Sequence, residues 1–195
     1  RTALRDSLPE AAAPGARRRS APAAAWLAMA ATLALIVGAG SWRLAANRTA
    51  ANALSEEVLA SHIRSLMPGH LSDVVSTDQH TVKPWFDGKI DFSPPVDDFA
   101  GRGYPLLGGR LDYLGGRPVA ALVYGRRKHF INVFLWPSHG DRPTGLESAR
   151  SQQGYHLLHW TTGQYHYWVA SDIGAAELGE FAGLLQAADS AAKRE

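Results

Sequence analysis

Residues 110–136, RLDYLGGRPVAALVYGRRKHFINVFLW, decide the fold class of this chain. Arg110 to Leu114 leads through Gly115-Gly116 into Pro118 to Tyr124, a continuous apolar run of the kind that forms a central strand. The basic turn Arg126-Arg127-Lys128 then leads into His129 to Trp136. There the odd positions Ile131, Val133 and Leu135 make an aliphatic face, and Phe130, Asn132, Phe134 and Trp136 a largely aromatic one. Period-2 patterning with both faces apolar predicts an antiparallel meander covered on both sides.

Working outward, Pro137 to Gln153 is polar and reads as a loop. Tyr155–Thr161 and Gln164–Ala170 read as a last hairpin around Thr162-Gly163. Ser171-Asp172 followed by Leu178, Phe181 and Leu185 predicts a capped amphipathic helix to about Ala187. On the amino side, Lys83 to Phe86 and Lys89 to Phe92 around Asp87-Gly88 predict a hairpin, with Pro84 confining it to a sheet edge. Ser93, Pro94-Pro95 and Gly101 predict a short helical turn. A first helix over Asn52–Met67 carries Leu59, Ile63 and Leu66 on one stripe and stops at Pro68-Gly69. Helix, antiparallel strands and helix make an α+β domain over residues 70–188, preceded by a stalk and first helix over 42–69.

Residues 21–41 contain no charged residue. At 1.5 Å per residue the apolar part makes roughly 27 Å of helix, enough to cross a bilayer. A buried core helix would be shorter and show a polar face, and a cleavable signal peptide would begin close to its basic residues. A retained transmembrane helix is therefore expected. Arg1, Arg5 and Arg17–Arg19 precede it, and only Arg43 and Arg48 follow closely, which predicts a cytoplasmic amino side and a periplasmic C-terminal domain. Residues 1–20, rich in Ala, Pro and Arg, read as a flexible cytoplasmic linker. The chain opens on Arg, so a further upstream domain is expected.

The 195 residues include no cysteine, which removes disulfides, thiolate metal sites and thiol catalysis together. A net charge of +2 with scattered basic residues does not make a nucleic-acid surface. Neither a Gly-x-Ser-x-Gly elbow, nor a phosphate-binding Gly-Lys-Ser/Thr loop, nor a dinucleotide fingerprint is present, so no enzyme activity is expected. A two-residue loop in the last hairpin would set His159 opposite His166, close enough to share a metal ion if a third ligand were supplied. His70, Asp73, Asp78 and His80 form another oxygen–nitrogen group. Asp78, His80, Lys83 and Trp85 together make a candidate ligand or partner surface, although neighbours on an extended segment point to opposite faces and do not converge on one substrate.

The run Asp73-Val74-Val75-Ser76-Thr77-Asp78-Gln79-His80-Thr81-Val82-Lys83-Pro84-Trp85-Phe86, with Lys89 to Val96, Pro105 to Tyr113 and His129 to Pro137, resembles the exterior domain of proteobacterial transmembrane anti-sigma factors. The resemblance extends over about residues 24–187. It implies a regulator at the bacterial inner membrane that holds an extracytoplasmic-function sigma factor and releases it on an envelope signal. Such regulators commonly grip the sigma factor through a small cytoplasmic helical domain, often with a His-x3-Cys-x2-Cys zinc motif. With no cysteine in this chain, no cofactor is expected here, and sigma binding and zinc fall to the expected upstream domain. The other reading of the exterior domain is a periplasmic module for a metal or small ligand.

Overall fold

The computed structural model describes residues 21–192. The expected linker over residues 1–20 lies outside them. The chain divides into two compact units, Arg1–Asn47 and Arg48–Glu195. Helix α1 runs Ala21–Ser65, so the first helix and the apolar stretch are one element. Trp26–Arg43 within it is long and apolar enough to cross a bilayer, and its apolar side chains are not buried against protein.

The second unit is α+β. Strands β1 (Val74–Val75), β2 (Leu106–Leu114), β3 (Arg117–Arg126), β4 (His129–Pro137), β5 (Glu147–Gln152), β6 (Tyr155–Thr161) and β7 (Tyr165–Ser171) form one antiparallel sheet. Their order is β1-β2-β3-β4-β7-β6-β5. The meander predicted from residues 110–136 is present as β2-β3-β4, with Ala121 opposite Phe134 and Asp112 opposite Val119. A second meander, β5-β6-β7, attaches through β7 beside β4, where Phe134 faces Trp168.

Alternation along β4 builds two cores. Ile131, Val133 and Leu135 join Leu122, Tyr124, Val169, Trp160 and the buried face of α3 (Ala175–Ala192), with Phe181 and Leu178 at its centre. Phe134 and Trp136 join Val119, Ala121, Trp168 and the residues Val58 and Leu59 of α1. The sheet is thus covered on both faces, by the carboxyl-terminal turns of α1 on one and by α3 and a short helix α2 (Gln79–Trp85) on the other.

Several local expectations are corrected. Lys83–Phe92 is not a hairpin: Gln79–Trp85 is helix α2, with Asp78 as its N-cap and Pro84 in its last turn. The Asp78 carboxylate accepts from the His80 N–H at 2.9 Å and from the Thr81 hydroxyl at 3.1 Å. Val82 and Phe86, four apart, are both fully buried, a helical spacing that outweighs the Asp-Gly turn signal. The sheet edge is instead β1, seated on Gly108, where a φ of +149° and the Val74 carbonyl occupying the space a Cβ would need exclude any side chain.

The polar stretch 137–153 is only partly loop, since Glu147–Gln152 is edge strand β5, closed to β6 by Gln153 and Gly154, both at positive φ. The β6–β7 turn is centred on Gly163-Gln164, two residues out of the expected register. Thr162 decides this: its N–H donates to the Tyr165 carbonyl at 2.8 Å and its Oγ1 accepts from the Tyr165 N–H at 3.0 Å. The final helix begins at Ala175, not after a Ser171-Asp172 cap. The Ser171 hydroxyl donates to the Phe130 carbonyl at 2.8 Å, and Asp172 pairs with His129 at 2.8 Å. The short helical turn expected from Ser93 and Pro94-Pro95 is displaced: residues 93–98 are not helical, and a 3-10 turn at Ala100–Arg102 contains Gly101 and ends at Gly103.

Candidate functional site

The carboxyl-terminal turns of α1 bring a polar cluster against the sheet. Ser61, His62 and Ser65 lie at i, i+1 and i+4, so they share one helix face, and all three are buried. Opposite them stand Arg110 and Asp112 from β2 and Asn132 from β4. Arg110 donates through Nη2 at 3.0 Å and Nε at 3.2 Å to one oxygen of Asp112. The Ser61 hydroxyl donates to that same carboxylate and accepts from Arg110 Nη2 at 3.3 Å. Arg110 Nη1 donates to the Leu71 carbonyl at 3.2 Å and to Asn132 Oδ1 at 3.3 Å.

Asn132 passes the pattern on. Its Nδ2 donates to Ser65 Oγ at 2.7 Å and meets His62 Nδ1 at 2.9 Å. Arg110 has only donors, so the Asn132 oxygen must face it and the amide nitrogen must face His62. His62 Nδ1 is therefore the acceptor. The ring is fully buried, Tyr155 stands edge-on at 5.2 Å, and Nε2 meets no hydrogen-bond partner among the described residues. Burial, and then the Arg110 charge, lower its pKa to about 4 against a weaker opposing pull from Asp172. Burial also lowers the Arg110 pKa, with Asp112 opposing.

Beside this cluster the chain that leaves α1 lines a mainly aliphatic cavity of about 510 Å³, formed by Gly69, Leu71, Ser72, Val75, Ser76, Thr77 and Leu107. No lining side chain is charged. The segment is tied to β2 by the Asp73 N–H to the Gly109 carbonyl at 2.9 Å and the Ser76 N–H to the Leu107 carbonyl at 3.2 Å. Asp73 also caps the exposed edge of β2, accepting from the Leu111 N–H at 3.0 Å.

The sequence-predicted residues occupy other places. Asp78 is spent on capping α2, and His80 and Lys83 are exposed on that helix. Trp85 is half-buried, edge-on to Phe86 at 5.1 Å, with the Lys89 ammonium 4.5 Å from its ring. The Asp78 carboxylate of the expected surface thus already accepts two hydrogen bonds within α2.

His159 and His166 share a sheet face but are not opposite one another. His159 pairs across the ladder with Trp168, and His166 with Thr161. His159 stacks on Trp168 at 4.7 Å with Nε2 3.4 Å from Glu147, and His166 stacks on Trp136 at 5.4 Å with Nε2 2.8 Å from Asp141. Each imidazole has its own aromatic and its own carboxylate. Among the described residues no group of three or more His, Asp or Glu is placed to hold a metal ion, the set His70, Asp73, Asp78 and His80 included.

Sequence reasoning missed the polar cluster, although one signal was present. Asn132 interrupts an otherwise apolar central strand, and a buried amide requires partners. Those partners lie 70 and 67 residues earlier, which no local pattern specifies. The second unit is thus an α+β domain whose polar cluster joins the carboxyl-terminal turns of α1 to β2 and β4. Comparison with family models, with characterised proteins and with solved structures returns no match for this chain.

Proposed function

We propose that this chain is a non-enzymatic, single-pass membrane regulator of the anti-sigma type. In this reading α1 crosses the bacterial inner membrane through Trp26–Arg43, and the sheet domain faces the periplasm. That domain responds to an envelope signal and controls the release of an extracytoplasmic-function sigma factor gripped by an upstream domain. The observation that carries the reading is the polar cluster, which locks the sheet to the carboxyl-terminal turns of α1, the element whose sequence also includes the apolar stretch. A signal must stabilise one state of such a lock over another to have any effect. The Lys and Arg asymmetry around the stretch and the resemblance of residues 73–137 to exterior anti-sigma domains support it further.

The test is deletion of residues 70–170 in cells carrying the full reading frame and a sigma-dependent reporter. The expected result is a regulator that no longer answers stress. A deleted chain that still silences its sigma factor and still responds contradicts the reading, as does a fusion at Glu195 that reports a cytosolic location.

The 510 Å³ cavity favours a second reading, a module for a small apolar ligand, since its size falls in the range of ligand pockets. Saturable displacement of a fluorescent apolar probe, abolished by Leu107→Gln, would support it. A zinc titration read by tryptophan fluorescence separates the metal version: quenching lost in His159→Ala would revive an ion site on β6 and β7.

A further inference from the structure

We infer that His62 is the proton-sensitive pin of the clasp between α1 and the sheet, so that acidification frees the carboxyl-terminal turns of α1 from β2 and β4. The inference rests on hydrogen-bond direction. Arg110 Nη1 can only donate, which turns the Asn132 oxygen toward it and leaves Asn132 Nδ2 to donate to both Ser65 Oγ and His62 Nδ1. A second proton on His62 must sit on Nδ1, where it meets an N–H donor head-on at a separation of 2.9 Å. Asn132 cannot flip to offer oxygen, because its amide nitrogen would then face the Arg110 guanidinium. The neutral ring fits this polarity, and the imidazolium fits nowhere in it.

The surroundings offer the cation no relief. From β2 the ring is approached by Arg110, whose charge opposes a second positive charge even with Asp112 paired to it, and from β6 by the edge of Tyr155. From β4 it meets the Asn132 amide, which presents its N–H and not its oxygen. Beyond β7, Asp172 is the one group whose charge favours protonation, and its carboxylate already accepts from His129 at 2.8 Å. Burial of the ring adds to the penalty, and the depressed pKa of about 4 agrees with the geometry. Protonation is therefore coupled to opening. A periplasmic location makes the device an acid sensor, and that clause alone rests on the proposed function.

The sign follows from linkage. The opened state binds a proton with the ordinary imidazole pKa of 6.5 and the closed state only near 4, so closure is complete above 6.5 and is lost as the pH falls. Between pH 7 and 5 these two values predict an increase of about twentyfold in the equilibrium for opening. Ordinary carboxylates stay largely ionised over that window.

The experiment is amide hydrogen exchange on the full chain in detergent micelles, corrected for intrinsic rates. Protection of residues 58–65 is expected to fall about twentyfold from pH 7 to pH 5. His62→Gln, whose side-chain oxygen replaces the acceptor without titrating, is expected to hold it within about twofold. Nitrogen shifts of the wild-type ring at pH 7 provide a second readout that needs no variant, with the proton expected on Nε2. Flat protection in the wild type, an equal fall in His62→Gln, or a proton on Nδ1 overturns the inference. None of these outcomes depends on topology, so a failed membrane orientation test and a failed pin remain distinct results.

Discussion

Arg110→Met tests the energetics of the clasp most directly. The Arg110 and Asp112 side chains are only 7% and 13% exposed, so neither charge can be left to water when its partner is removed. Loss of one member of a buried pair costs about 3–5 kcal/mol. Asp112 keeps the Ser61 hydroxyl and the Tyr113 N–H at 2.8 Å, which places the charge term near the lower bound of that range. Asn132 Oδ1 and the Leu71 carbonyl lose their donor as well, and a buried unsatisfied acceptor costs roughly 1–3 kcal/mol. A total of at least about 5 kcal/mol is expected, comparable with the lower end of a typical domain's 5–15 kcal/mol. Denaturant unfolding read by tryptophan fluorescence is a suitable assay, since Trp136 and Trp168 are buried in the same core. The double variant Arg110→Met/Asp112→Leu should recover a sizeable part of the loss, because an apolar replacement of both charges removes the desolvation cost. A single variant that loses less than about 1 kcal/mol, or a double variant no better than the single, would refute the account of the pair.

Phe181→Ala should destabilise the domain by about 3–5 kcal/mol, since its ring is fully buried against Phe99, Tyr104 and Tyr124; thermal unfolding measures it. Asp78→Ala should cost about 1 kcal/mol through the lost α2 cap, and Asp78→Ser should restore most of it in the same unfolding assay. Burial lowers the pKa of both His159 and His166 against the pull of Glu147 and Asp141. Their unfolded forms bind protons first, so the stability they contribute is present above pH 6.5 and declines below it. The midpoint temperature of His159→Gln/His166→Gln should accordingly depend less steeply on pH below 6.5 than that of the wild type.

Much of the architecture was legible along the chain because it is written in local periodicity. The strands β2, β3 and β4 follow from alternating or continuous apolar runs between glycine-rich and basic turns, and the closing helix from the spacing of Leu178, Phe181 and Leu185. Lys83–Phe92 misled because an Asp-Gly dipeptide marks a turn without saying what it joins; the burial of Val82 and Phe86 made the preceding residues helical. The site was less legible still. Asp78 and His80 stand out in composition but serve as a cap and an exposed position, whereas Ser61 and His62 look like ordinary polar residues of a helix.

By itself the sequence determined the apolar span, the helix that carries it, the absence of thiol chemistry and the alternating faces of the central strands. Each of these depends only on residues a few places apart. Only the tertiary structure decided that β7 lies beside β4, that the last hairpin slips by two, and that His62 reaches Asn132 across 70 residues. Long-range partners are chosen by which buried donors and acceptors can be satisfied together, and that choice exists only once the sheet has closed against the helix.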